Sequence, residues 1–153
     1  MPYVITITAY YDDPADQVFD SALDFAEMQA AMSDIARYDG LPSGRVAQGM
    51  TFTCDVTFWG LIRNKGHVMH LETLDRDARI LQSREHGPSV ARWDHLLSVQ
   101  PDGDGAVWTD QITLDAGWRS WGMARFCRFM YRHRHIRRQA QRITTDIQPL
   151  RIT

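Results

Sequence analysis

The chain has 153 residues, 44% of them hydrophobic and 24% charged, with a formal net charge of -2. That length suits one domain with one core, and the composition is ordinary for a soluble globular protein. The small net charge disfavours nucleic acid as a partner, and no stretch is apolar enough for stable membrane insertion.

The charge is unevenly spread: Lys65 is the single lysine against sixteen arginines, and more than half of the arginines lie in the last third. The amino-terminal MPYVITITAYY lacks the basic start and long apolar run of a signal peptide, so a cytoplasmic protein is expected. Cys54 and Cys127 are far apart, in no metal or redox spacing, and read as small buried hydrophobes.

Tyr3 to Tyr11 alternates, with Tyr3, Ile5, Ile7 and Ala9 on one side, and reads as a strand. Asp12-Asp13-Pro14 ends it and starts a helix, with Asp13 as the expected N-cap and Pro14 at the first helical position. Val18, Phe19, Ala22 and Leu23 form its apolar face, and a second short helix is expected near Phe25 to Ala31. Arg37 to Gly49 is loop-like. A run of strands broken by turns follows: Thr51 to Trp59, His67 to Leu74, Ile80 to Glu85, Val90 to Val99 and Ala106 to Leu114.

Trp118 to Ile147 contains no proline and predicts one long C-terminal helix, about 45 Å at 1.5 Å per residue. Phe126, Phe129, Met130, His133, Ile136, Ala140, Ile143 and Ile147 recur at helical spacing and predict the buried face. Arg128, Arg132, Arg134, Arg138 and Arg142 predict the solvated back, their stems covering apolar surface. Consecutive strands joined by short turns make an antiparallel meander whose apolar face needs a cover. The long helix is the element large enough to supply it.

This order, with Asp12-Asp13-Pro14-Ala15-Asp16-Gln17-Val18-Phe19 after the first strand, the Trp108-Thr109-Asp110-Gln111-Ile112 strand and the aromatic-to-Arg helix from Phe126, resembles the START-like (SRPBCC) superfamily. The resemblance covers nearly the whole chain. It implies an α+β helix-grip fold: a curved antiparallel sheet of about six to seven strands wrapped around a long C-terminal helix, with two short helices after the first strand. It also implies a cavity between sheet and helix that takes a small hydrophobic or amphipathic ligand, such as a lipid, polyketide or aromatic-like molecule. Some members of that superfamily carry out cyclisation or dehydration with a few polar residues placed inside.

Strand alternation puts His95 on a side with Trp93 and Leu97, and Asp110 on a side with Trp108, Ile112 and Leu114. A carboxylate beside a histidine fixes the ring's tautomer and supplies a general base. His95 and Asp110 are therefore the candidate catalytic pair of a polyketide cyclase- or dehydratase-like enzyme, with His133 or His67 as a second polar contact. The competing reading is that these groups merely satisfy one another in the core. The expected ligand contacts are Phe52, Val56, His67, Met69, Trp93, Leu97, Trp108, Ile112, Phe126, Phe129, Met130, His133 and Ile136.

No metal is expected. His67 and His70 point to opposite faces of a strand, and His133 and His135 diverge by about 200° on a helix. No cofactor is expected, nor nucleophilic catalysis: no Gly-x-Ser-x-Gly elbow and no glycine-rich phosphate loop occurs. The basic helix back leaves a third reading, a partner-binding module. The chain is expected to act as a monomer or homodimer.

Overall fold

Alternation along Tyr3–Tyr11 makes strand β1, which turns Ile5, Ile7, Ala9 and Tyr11 inward. The computed structural model describes residues 1–151. Helix α1 spans Ala15–Ala22 and buries Val18 and Phe19. Its N-cap is Pro14 rather than Asp13: Pro14 is extended (φ -58°, ψ 146°) and its carbonyl accepts from Val18 N at 3.0 Å. Proline's fixed φ serves an extended residue as well as a helical one, so the helix begins one position later than expected. Helix α2 spans Phe25–Met32, and the Asp24 side chain accepts from Ala26 N at 2.9 Å.

Six strands follow in succession: β2 (Ala36–Asp39), β3 (Thr51–Phe58), β4 (Ile62–Asp75), β5 (Ile80–Gly87), β6 (Val90–Asp102) and β7 (Gly105–Asp115). A 3-10 turn at Gly117–Arg119 leads into helix α3 (Ser120–Arg137), and strand β8 (Arg142–Pro149) comes last. All form one antiparallel sheet of eight strands in the order β2-β3-β4-β5-β6-β7-β1-β8. With α3 laid on this sheet, the molecule has the helix-grip architecture, with β2 and β8 as edge strands beyond the six to seven expected.

The long helix is shorter than its periodicity predicts. It ends in a Schellman motif: Gln139 takes the left-handed conformation (φ 64°), with Ala140 N to His135 O and Gln139 N to Ile136 O both at 3.0 Å. The chain then turns back, and Arg142 to Pro149 pairs with β1 from Tyr10 to Tyr3. Ile143, Thr144, Thr145 and Ile147 are β-branched and suit a strand.

The face of α3 that meets the sheet also differs from the expected one. Ser120, Ala124, Cys127, Arg134 and His135 are buried, whereas Phe129 and Ile136 are exposed. Arg134 and Arg138 therefore do not belong to a solvated back. Both guanidinium groups lie against the Trp108 ring, at 5.2 and 5.1 Å from its centroid. Arg138 also pairs with Glu27 at 2.7 Å. Charged and ring side chains that find partners inside can line a buried stripe that hydropathy alone assigns elsewhere.

The apolar packing falls into three clusters. Ile5, Ile7, Ile112 and Leu114 meet Ala124 and Cys127 of α3. Val18, Phe19, Leu23 and Phe25 of the two short helices meet Leu97, Val99 and Trp108, so α1 and α2 share the covering role with α3. Met32, Ile35, Cys54, Val56 and Phe58 form the third cluster at the β2–β3 end, with Phe126 and Met130 against it. Among the described residues no helix is long and apolar enough to cross a membrane.

Candidate functional site

Between these clusters α3 stands off the sheet, and a cavity of about 700 Å³ lies beneath it. Register shifts at Cys54/Val56 between β3 and β4, and at Glu85/Gly87 between β5 and β6, mark irregularities in the strands that form its floor. The sheet contributes Cys54, Val56 and Phe58 from β3, Asn64, His67 and Met69 from β4, Glu85 from β5, and Trp93 and His95 from β6. The opposite wall is Met123, Phe126, Met130, Tyr131 and Arg134 of α3, with Met28 and Met32 of α2 and Tyr38 of β2 closing the side. Ile62, Trp118 and Trp121 also line it and are exposed, Trp118 at 92%, so the mouth lies between the β3–β4 turn and the start of α3. A recess of about 50 Å³ shares Met28, Met69, Glu85, His95 and Arg134 with the cavity and continues toward Leu97.

The expected contacts therefore divide. Val56, His67, Met69, Trp93, Phe126 and Met130 are on the cavity wall, as is His95. Leu97 borders only the recess. Phe52 packs edge-on against Phe25, with ring centroids 5.4 Å apart, and Trp108 and Ile112 lie inside the clusters behind the wall. Phe129 and Ile136 are exposed on α3. His133 turns away, its Nε2 2.9 Å from Asp34 Oδ1, and this hydrogen bond holds the Asp34 carboxyl below its usual range.

His95 and Asp110 meet, although they are not directly opposite. His95 faces Ile112 across the ladder and Asp110 faces Leu97, and the two side chains join diagonally, Nε2 to Oδ1 at 2.7 Å. Asp110 is fully buried and accepts twice more, from Trp108 Nε1 at 3.0 Å on Oδ1 and from His135 Nε2 at 2.8 Å on Oδ2. Burial alone would raise its pKa, but the hydrogen bonds from His135 and His95 reverse this and hold it well below the usual carboxylate range. Asp110 is an anion whose oxygens only accept, so both histidines carry a proton on Nε2.

On the far side of His135, the Tyr11 hydroxyl donates to Nδ1 at 2.6 Å. Burial lowers the His135 pKa against the pull of Asp110, and Arg134 and Arg138 lower it further, so the ring is neutral. Burial likewise keeps the Tyr11 hydroxyl protonated. On the near side, Tyr131 Oη lies 3.4 Å from His95 Nδ1. The chain Tyr11–His135–Asp110–His95–Tyr131 thus runs from the core to the cavity wall. Its outermost members, His95 and Tyr131, both line the cavity.

A second histidine–carboxylate pair lies on the same floor. His67 Nε2 is 2.8 Å from Glu85 Oε2, and Ser83 Oγ donates to Glu85 Oε1 at 2.6 Å. The Tyr38 hydroxyl is pushed up to about 12 and the Cys54 thiol to about 11, both first of all by burial. Burial and Glu85 raise the Tyr131 hydroxyl as well. These groups are neutral at physiological pH. The polar part of the wall thus offers neutral hydroxyls, histidine nitrogens, the Arg134 guanidinium and the Glu85 carboxylate, whose oxygens already take His67 and Ser83, within a largely apolar lining.

Tyr11, Tyr131, Arg134 and His135 were not among the expected site residues. For the three on α3 the signal was the small-residue series Ser120, Ala124 and Cys127, whose helical continuation passes through Tyr131, Arg134 and His135; Tyr11, at the end of β1, had none.

No family model and no curated protein matches the chain. Solved structures do. Ara h 8.0201 superposes with a TM-score of 0.62 at 5% identity, over 88% of this chain and 96% of its own. TTHA0849 from Thermus thermophilus gives 0.61 at 10% identity, over 88% and 95%. Protein CV1439 from Chromobacterium violaceum gives 0.70 at 8% identity, over 88% and 92%. At such identities the likeness is one of fold, and that fold is the helix-grip.

Proposed function

We propose that this protein binds a small hydrophobic or amphipathic ligand, of lipid, polyketide or aromatic-like character, in the cavity between sheet and α3. The observation that carries this reading is the cavity itself: about 700 Å³, open at one end and walled by methionines and aromatic rings. Such volumes and linings suit drug-sized apolar molecules, and methionine adapts to irregular shapes. The cytoplasm is the compartment that fits the two free cysteines.

A second reading is favoured by one geometric fact. His95 is oriented from behind by the Asp110 anion and turns Nδ1 to the cavity beside the Tyr131 hydroxyl. That arrangement serves a general base and a neutral donor, as cyclisation or dehydration of a polyketide-like substrate needs.

One experiment addresses both. Thermal shifts are measured against a panel of acyl, aromatic and polyphenolic compounds for wild type and Val56→Trp, which fills the cavity from the floor. Mass spectrometry of the same mixtures follows turnover in wild type and His95→Gln. Ligand-dependent stabilisation absent from Val56→Trp supports binding, and equal stabilisation of that variant rejects it. Turnover that falls about 10²- to 10⁴-fold in His95→Gln supports catalysis, and turnover unaffected by the change removes His95 from the mechanism.

A further inference from the structure

Arg134 is a charged side chain only 8% exposed, and it lines both the main cavity and its recess. Its Nε has no hydrogen-bond partner, and among the described residues no carboxylate pairs with its guanidinium. The nearby acids are engaged elsewhere. Glu27 is taken by Arg138, Asp110 accepts from His95, His135 and Trp108, and Glu85 accepts from His67 and Ser83. These anions offset a cation through space, but their oxygens leave the Arg134 fork unmet. A buried guanidinium held only by the face of Trp108 is costly unless something completes it.

Its position says what that something is. Arg134 lies thirteen residues along α3 from Trp121 at the mouth, roughly 20 Å away along the helix axis at 1.5 Å per residue. The wall between is largely apolar, with Phe126, Met130 and Met123 on the helix and Val56, Met69 and Trp93 opposite, and its carboxylate, Glu85, is engaged by His67 and Ser83. A molecule that fills this space presents an apolar body to the rings and methionines and its leading end to a guanidinium fork. Planar oxyanions match that fork bidentately.

We propose that the ligand is an amphipathic anion, an acyl or aryl carboxylate, bound head-first with its carboxylate on Arg134. This rests on the cavity-binding reading above and specifies the ligand class.

Two fluorescent probes separate the two claims. 1-Anilinonaphthalene-8-sulfonate and N-phenyl-1-naphthylamine share an apolar body, and only the first carries an anionic group. In wild type the anionic probe is expected to bind at least about tenfold more tightly, the scale of a charge-assisted hydrogen bond. It is also expected to be displaced by dodecanoate more readily than by dodecanol. Arg134→Gln is expected to lose that advantage while still binding the neutral probe, and Arg134→Lys to keep part of it. Equal binding of the two probes by wild type, or an advantage that survives in Arg134→Gln, overturns this inference and leaves the cavity reading standing. Binding of neither probe by wild type overturns both. The wild-type comparison decides even if Arg134→Gln fails to fold.

Discussion

Asp110 accepts three hydrogen bonds in a fully buried position, and two of its three donors are histidine rings. This makes the core sensitive to acid in a defined way. His135 has its folded pKa lowered, so the unfolded chain takes up a proton that the folded chain refuses once pH drops below the unfolded value of about 6.5. Stability is full above that pH and declines below it. Asp110, with a folded pKa below the unfolded one, adds a further loss below about pH 4. Each such proton is worth at most about 1.4 kcal/mol per pH unit. Urea denaturation is therefore expected to show a fall of roughly 1–2 kcal/mol between pH 7 and pH 5. His135→Gln, whose amide can still donate to Asp110 and accept from Tyr11, is expected to flatten that slope. An unchanged slope in the variant would place the titrating group elsewhere.

At the scale of the element, α3 is defined by which stripe it buries. Ile136→Glu, at a site 58% exposed, is expected to change stability by no more than about 0.5 kcal/mol. Cys127→Asp, at a site that is fully buried against Ile5, Ile112 and Leu114, is expected to cost more than about 4 kcal/mol or to prevent folding. Urea midpoints of the two variants check this, and the reverse ranking would restore the stripe read from hydropathy.

That stripe was misread for a physical reason. Periodicity counts Arg134, Arg138 and His135 as solvated, and only the tertiary partners Trp108, Glu27 and Asp110 make them interior. The end of the helix was hidden too. Ile143 and Ile147 are four apart and fit a helical face as well as a strand face, and the Schellman position holds Gln139 where glycine would have marked a stop. The five longer central strands, the two short helices and the His95–Asp110 approach were legible. Each is written in local alternation or spacing that survives packing. The depth of Asp110 behind the wall was not, because alternation gives a side of the sheet and not a distance from the cavity.

For the whole molecule, the claim that matters is that α3 spans a hollow rather than closing onto the sheet. Five methionines, Met28, Met32, Met69, Met123 and Met130, line that hollow from α2, β4 and α3, while Met1 and Met50 lie away from it. Carbon-13 labelling of the methionine methyl groups therefore gives five reporters inside and two controls outside in one NMR spectrum. On titration with N-phenyl-1-naphthylamine the five cavity methyls are expected to shift together and saturably, with Met1 and Met50 unmoved. Shifts confined to the two controls, or none at all in the presence of bound probe, would contradict the account.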